Sequence, residues 1–323
     1  MTALVGAFNK NGETGAAYIF THAGGVESAG DPRRQRRDDD RRVRRWRGAH
    51  HGFDTPGAAY VFVRAGSTWT QQRKLTASDG AAGDFFGFVT ISADGNTVVV
   101  GADARNGVVG AAYVFVRGGT VWTQQTILTA SDGTPGLALG DSVALNADGT
   151  TAVIGGNGAS YVFVRSGATW TQQQKLTASD GVSGDAFGYA VGVSAEGGVA
   201  IVGAIRRTNE TGGAYVFVRG GGVWSQAQIL ATSDRAQGDQ FGNAIALSAD
   251  GGAAVIGAPG KGTLTGAVYR FSQAGSPLPP PKPIGPPTGN TSPAPRPPEQ
   301  PLSSIDSFVP APLPINRPYQ QIP

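Results

Sequence analysis

The chain has no cysteine among its 323 residues. Disulfides, thiol chemistry and thiolate metal sites are therefore excluded, although a repeat fold needs no cross-links and the compartment stays open on this count. Histidine is scarce: only His22, His50 and His51 occur, and none has a Glu or second His at metal-site spacing. No apolar run reaches the ~18 residues of a membrane span. The start, Met1 to Phe8, has neither a basic n-region nor a long apolar core, so it does not read as a signal peptide. A Gly-x-Ser-x-Gly elbow and a phosphate loop are both missing. No stretch keeps the i, i+3, i+4 spacing of an amphipathic helix over a useful length. On these grounds no catalytic, cofactor-binding or metal-binding residue is assigned, and the chain is read as a non-enzyme.

What the chain does have is glycine, 50 residues of it, and a repeat. The clearest copy runs from Gly110 to Asp132. Its Tyr-Val-Phe core recurs at Tyr60-Val61-Phe62, Tyr113-Val114-Phe115, Tyr161-Val162-Phe163 and Tyr215-Val216-Phe217. Looser versions stand at Tyr18-Ile19-Phe20 and Val268-Tyr269-Arg270-Phe271. From Tyr60 onward the tyrosine spacings are 53, 48, 54 and 54. Trp69, Trp122, Trp170 and Trp224 follow in phase. A fixed period near this length marks an array of supersecondary units.

Each unit divides into four β-like runs. In the unit from Phe86 to Ala130 they are Phe88 to Ser92, Thr97 to Gly101, Gly110 to Arg117 and Val121 to Thr129. Asp94-Gly95 supplies a hairpin signal between the first two, and Gly118-Gly119 a turn between the last two. The inner runs are rich in Val, Ile, Tyr and Phe, which fit a packed pleated surface. The outer run is partly polar, as an edge strand should be. Four antiparallel strands per unit, repeated, make the blade of a β-propeller. A lone blade cannot bury both faces, so its neighbours must do it. The fold expected is all-β: about six four-stranded blades, imperfect or incompletely closed, counting six units of which the first two are partial.

These residues resemble the FG-GAP repeat, the unit of the integrin α-subunit propeller and of many bacterial surface proteins. The Phe-Gly half stands at Gly83-Asp84-Phe85-Phe86-Gly87, Gly184-Asp185-Ala186-Phe187-Gly188 and Gly238-Asp239-Gln240-Phe241-Gly242. The Gly-Ala-Pro half is complete at Gly257-Ala258-Pro259 and reduced to Gly-Ala at Gly6-Ala7, Gly101-Ala102 and Gly203-Ala204, and to Gly-Gly at Gly155-Gly156. In the third unit Gly140-Asp141-Ser142-Val143-Ala144 shows no Phe-Gly. The resemblance covers residues 1 to 272 with a gap at about 26 to 52. It implies an extracellular or cell-surface binding or adhesion module with an unidentified protein or glycan ligand. Rival readings are a fragment of a larger secreted enzyme or adhesin, and a truncated reading frame without independent function. No nucleic-acid partner and no membrane span are expected.

Members of this family often carry a calcium loop between the first two strands of a blade. Calcium takes six to eight oxygens, so the loop needs several acidic or amide side chains. Here the turns are Ser92-Ala93-Asp94-Gly95, Asn146-Ala147-Asp148-Gly149, Ser194-Ala195-Glu196-Gly197 and Ser248-Ala249-Asp250-Gly251, each with a single acid. They read as hairpin turns, and no cofactor is expected. The Ser-Asp-Gly at Ser78-Asp79-Gly80, Ser131-Asp132-Gly133 and Ser179-Asp180-Gly181, and the Asp of Gly-Asp-x-Phe-Gly, recur with the blade and read as turn braces. The tryptophans read as packing for the outer strand, against the sharper alternative of an aromatic ligand platform.

Two stretches break the pattern. Residues 31–47 hold nine arginines and four aspartates, a charge of +5, so the other residues together carry −2 of the net +3. This stretch reads as an out-of-frame copy of the repeat, a charged solvated insertion, or a phosphate-binding cluster. The tail contains seventeen of the 21 prolines, from Pro277 to Pro323, and reads as a disordered polyproline spacer. The domains expected are thus a propeller over 1–274, interrupted at 26–52, and a Pro-rich disordered tail over 275–323.

Overall fold

The computed structural model describes residues 2–7, 20–22, 25–27, 56–66, 68–272 and 307–308. Most of the Arg-rich interruption, His50 and His51, and the tail apart from 307–308 lie outside the described residues. Chain order begins with β1 (Thr2–Ala7), then a hairpin of β2 (Phe20–His22) and β3 (Gly25–Glu27), then β4 (Ala58–Ala65) and β5 (Thr68–Leu75). The second blade is β6 (Phe88–Ile91), β7 (Thr97–Ala102), β8 (Ala111–Gly118) and β9 (Val121–Leu128). The third is β10 (Ser142–Leu145), β11 (Thr151–Gly156), β12 (Ala159–Ser166) and β13 (Thr169–Leu176). The fourth is β14 (Phe187–Val193), β15 (Val199–Ala204), β16 (Gly213–Gly220) and β17 (Val223–Leu230). The fifth is β18 (Ala244–Leu247), β19 (Ala253–Ala258), β20 (Ala267–Ser272) and β21 (Ser307–Phe308). One-turn segments α1 (Arg105–Val108), α2 (Arg207–Glu210) and α3 (Lys261–Leu264) join the middle strands of the second, fourth and fifth blades.

Each blade is an antiparallel meander, as the four runs predict. The register repeats from blade to blade: Val100 faces Tyr113, Ile154 faces Tyr161, Val202 faces Tyr215 and Ile256 faces Tyr269. The third and fourth strands slip by one residue just before the Phe of each Tyr-Val-Phe. Such a bulge tightens the local twist.

The core lies between blades. Among the described residues four buried clusters occur, and each joins two successive blades. Val61 and Leu75 of the first blade meet Phe86, Val98, Tyr113 and Trp122 of the second. Val153, Val162 and Leu176 of the third meet Phe187, Val202, Tyr215 and Phe217 of the fourth. Alternate residues of one strand face opposite neighbours, so a strand apolar on both sides is needed at the middle of a blade. Phe86, Phe187 and Phe241 each sit edge-on to the Tyr and Phe of their own blade, with centroids 5.3 to 6.1 Å apart. These are the favoured T-shaped contacts.

The first blade is assembled across the interruption of the repeat. The nearest candidate partner of Thr2–Ala7 is the run from Gly15 to Thr21, yet β1 pairs with β4. Val5 faces Tyr60 and Gly6 faces Ala59, the register of every other blade. The two partial units therefore merge into one three-stranded sheet, and the described residues form five blade-like sheets. Residues 8–57 stand where the second blade has only 103–110. Closing this longer loop costs roughly 1.5 kcal/mol more by the logarithmic loop law. Pairing with an intact hairpin such as β4–β5 offsets that readily.

After Tyr269 no in-phase Trp follows, so the sequence offers the fifth blade no fourth run of the usual kind. β21 pairs with β20, placing Phe308 opposite Val268 and Ser307 opposite Tyr269. Leu230 occupies the position of Phe308 in the fourth blade, opposite Ala214. A dipeptide from the Pro-rich tail thus takes the fourth-strand register.

Candidate functional site

The turns between first and second strands are closed by their own side chains. Ser92 Oγ donates to Asp94 Oδ1 at 2.5 Å and accepts the Thr97 N–H at 3.0 Å. The Asn96 N–H and Nδ2 both donate to the Asp94 carboxylate at 2.9 Å. Ser92 as donor holds the Asp94 carboxyl below the usual carboxylate range. In the third blade Asn146 Oδ1 accepts the N–H groups of Thr150 and Thr151. Asp94, Asp148 and Asp250 are thus engaged within their own turns. Among the described residues no three His, Cys, Asp or Glu gather as a metal-binding group. The turns also join in series: the N–H of Ala93 donates to the Ala147 carbonyl, Ala147 to Ala195 and Ala195 to Ala249, at 2.9, 3.1 and 2.8 Å.

The Asp of Gly-Asp-x-Phe-Gly is a turn brace in the structure. Asp84, Asp185 and Asp239 are buried, and each accepts the backbone N–H three residues earlier. The residue after it holds positive φ in every copy: Phe85 57°, Ala186 55° and Gln240 55°. Ala138 at 52° belongs to the same series. The third unit's equivalent is therefore Gly136-Leu137-Ala138-Leu139-Gly140, four residues before the stretch that sequence reading aligned. Leu139 bridges Gly110 as Phe86 bridges Gly57 and Phe241 bridges Gly212. Leucine replaces both Asp and Phe there, which hides the motif from a search for letters.

The recurring Ser-Asp-Gly does more than turn the chain. Asp79 follows β5 in the first blade and accepts the Tyr113 hydroxyl of the second at 2.8 Å. Asp132 accepts Tyr161, and Asp180 accepts Tyr215, at 2.8 and 2.7 Å. Asp234 accepts Tyr269 at 3.1 Å. A cation completes each pair: Arg105 on Asp79 at 2.5 Å, Lys175 on Asp132 at 2.6 Å, Arg207 on Asp180 at 2.6 Å and Lys261 on Asp234 at 3.2 Å. Hydrogen bonding to Arg105, Lys175 and Arg207 lowers the pKa of Asp79, Asp132 and Asp180. Burial raises that of the Tyr113, Tyr161 and Tyr215 hydroxyls.

The tryptophans staple blades as well. Trp122 Nε1 donates to Gln72 of the first blade, Trp170 to Gln125 of the second and Trp224 to Gln173 of the third, at 2.9, 3.1 and 2.9 Å. Gln124, Gln172 and Gln226 bind Ser78, Ser131 and Ser179 of the preceding blade through both amide atoms. Sequence reading missed these glutamines. Their only signal was their fixed place after each Trp.

The cations show where the repeat breaks. Arg105, Arg207 and Lys261 come from connections of eight residues, 103–110, 205–212 and 259–266. In the second and fourth blades these hold left-handed turns, with Asn106, Gly107 and Val108 at φ 52°, 68° and 69°, and Thr208, Asn209 and Glu210 at 49°, 55° and 63°. Left-handed φ is costly for L-residues, above all for branched Val and Thr. The turn aims the Val108 and Glu210 carbonyls at the next blade, where they accept the N–H groups of Ala138 and Gln240. The third blade has only Asn157-Gly158 at this place. Its cation comes instead from Lys175 on β13, whose side chain is 43% exposed against 16–18% for Arg105, Arg207 and Lys261.

The shortened connection leaves a cleft of about 390 Å³. It is lined by Asp132, Thr134, Pro135, Leu137, Asn157, Tyr161 and Lys175, with small residues between. The backbone N–H of Asn157 donates to the Leu137 carbonyl and its Nδ2 to that of Gly136. The floor of the cleft is thus tied down.

The FG-GAP repeat family description matches residues 69–115, 122–168, 170–217 and 224–271, more than half of the chain. No curated protein matches the chain at a significant level. Among solved structures, a protein from Lactobacillus plantarum is similar at 15% identity and TM-score 0.47, covering 67% of this chain and 61% of that one. Kuenenia stuttgartiensis hydrazine synthase is similar at 15% identity and TM-score 0.41, covering 57% and 45%. A candidate 6-phosphogluconolactonase from Bacteroides fragilis is similar at 12% identity and TM-score 0.48, covering 67% and 60%. The chain thus spans less than two thirds of the length of each of these structures.

Proposed function

The chain belongs to the FG-GAP repeat family, and on that premise we propose that it is a non-enzymatic binding module acting outside the cell or at its surface, with a protein or glycan ligand. The observation that supports this reading is the use made of the repeated polar residues. The recurring Asp, Tyr, Trp, Gln, Arg and Lys side chains hydrogen-bond across blade junctions. Catalysis needs a nucleophile or base free to meet a substrate. Here the strongly shifted groups are the tyrosines, and their hydroxyls are committed to Asp79, Asp132 and Asp180. The connections between middle strands vary from blade to blade, as binding loops on a rigid scaffold do.

The test is to screen the full chain on a glycan array and against extracellular matrix proteins, with a lactone-hydrolysis assay beside them. A saturable ligand with no lactone turnover supports the reading. Lactone turnover above the uncatalysed rate, lost on removing a side chain of the third-blade cleft, overturns it.

A further inference from the structure

We propose that the cleft between the second and third blades binds a neutral pyranose sugar. The proposal names a ligand class for the module and rests on the binding reading above.

The other junctions act as internal controls. At each of them the same Asp–Tyr–cation constellation occurs, and the cation arrives on the connection between middle strands. At the second–third junction that connection shrinks to two residues, and the constellation faces an open cleft. The Asp132–Lys175 pair is about half exposed on both sides. The cleft, about 390 Å³, is open to solvent and its lining is more polar than apolar, which suits a polar ligand held at the surface.

Charge selects the ligand. Lys175 lies 2.6 Å from Asp132, so the pair carries no net charge. A free anion gains little from an ammonium already neutralised, and a divalent cation finds one carboxylate where it needs several oxygens. A pyranose fits better. Each sugar hydroxyl both donates and accepts, and two vicinal hydroxyls can bridge a carboxylate acceptor and an ammonium with N–H groups to spare. Thr134 adds a hydroxyl at the rim. Pro135, exposed at the rim, gives an apolar surface for the C–H face of the ring. The Asn157 bonds to the loop carbonyls preform the site, which lowers the entropic cost of binding.

The experiment titrates the full chain with methyl glycosides of mannose, galactose, glucose and N-acetylglucosamine, followed by calorimetry and by the thermal midpoint. At least one should bind saturably in the millimolar range. Lys175→Met should weaken it by roughly tenfold or more, the loss of one charged hydrogen bond. Arg207→Met, the equivalent change at the fourth blade, should leave it unaltered. Replacing Asn157-Gly158 with the eight residues 103–110 should refill the cleft and abolish binding. If Lys175→Met fails to fold, Thr134→Val serves in its place, with a smaller loss expected. No saturable binding of any methyl glycoside, or equal weakening by Arg207→Met, overturns the proposal. An array ligand whose affinity survives both Lys175→Met and the loop replacement removes the cleft and leaves the binding reading standing. No array ligand at all removes both.

Discussion

The middle strands of the fourth and fifth blades pair in the same register, but among the described residues only the fourth is followed by another blade. Ile201 and Val255 are register equivalents, facing Val216 and Arg270. Ile201 is 2% exposed and Val255 41%. Ala214 and Val268 also correspond, and they are 0% and 50% exposed. The difference teaches that a blade has no inside of its own. A residue becomes core when the next sheet covers it.

The same contrast explains the glycine of the Gly-Ala motif. A Cβ on Gly203 would stand 2.1 Å from the Gly242 carbonyl oxygen of the fifth blade. Gly101 and Gly155 meet Gly140 and Gly188 in the same way, at 2.0 Å. On Gly257 the nearest atom would be Ala244 Cβ at 3.5 Å, an ordinary contact. The motif is thus a place where two blades approach backbone to backbone, and its reason lapses at the fifth blade, which no further sheet follows among the described residues. The opposite end of the chain agrees. Trp122, Trp170 and Trp224 donate to a glutamine of the preceding blade. Trp69, on the first blade, has a buried Nε1 with no partner among the described residues.

The largest effect that tests this contrast is expected from Ile201→Ala, at about 2–5 kcal/mol, against less than about 1 kcal/mol for Val255→Ala. Urea unfolding measures both, and equal losses would erase the distinction between the two blades. Gly203→Ala should cost about 1–3 kcal/mol through overpacking, whereas Gly257→Ala should be neutral or slightly stabilising. Gln173→Leu strands the buried Trp224 Nε1 and should cost about 1–3 kcal/mol. Gln226→Leu, whose partner Ser179 is solvated, should cost less, and the reverse order would deny the tryptophan its part in joining blades. A smaller effect is expected from Asp180→Asn, about 0.5–1 kcal/mol at pH 7 because the pair is partly solvated. Asp180 has a folded pKa below its unfolded one, so its contribution is present above about pH 4 and fades as pH falls through the folded value. The variant's deficit should therefore shrink as pH falls below about 4, and a deficit that does not change with pH would mean packing rather than charge. Smallest of all is calcium at millimolar concentration, which should leave the melting temperature unchanged, since binding to the native state alone would raise it.

Much of the blade was legible in the letters. Tyr-Val-Phe, the phased Trp and the Asp-Gly turn placed all four strands of the second blade to within two residues of β6, β7, β8 and β9. What escaped depended on space rather than on pattern. Leu139 fills the seat of a phenylalanine because the seat requires an apolar side chain, not a ring. β1 joins β4 across residues 8–57 because register and an intact hairpin outweigh nearness in sequence. Of the candidate cleft, the sequence carried one trace, the short spacing of 48 between Tyr113 and Tyr161. Nothing in that number says that a connection has shrunk over an Asp–Lys pair.

The bonds from Ala93 to Ala147, Ala195 and Ala249 use main-chain atoms alone. A fastener of that kind travels with any copied unit and survives whatever happens to the copy's exterior. Duplicated segments can then diverge freely on their outward-facing loops while still locking onto their neighbours, which is how one member of an array becomes free to specialise.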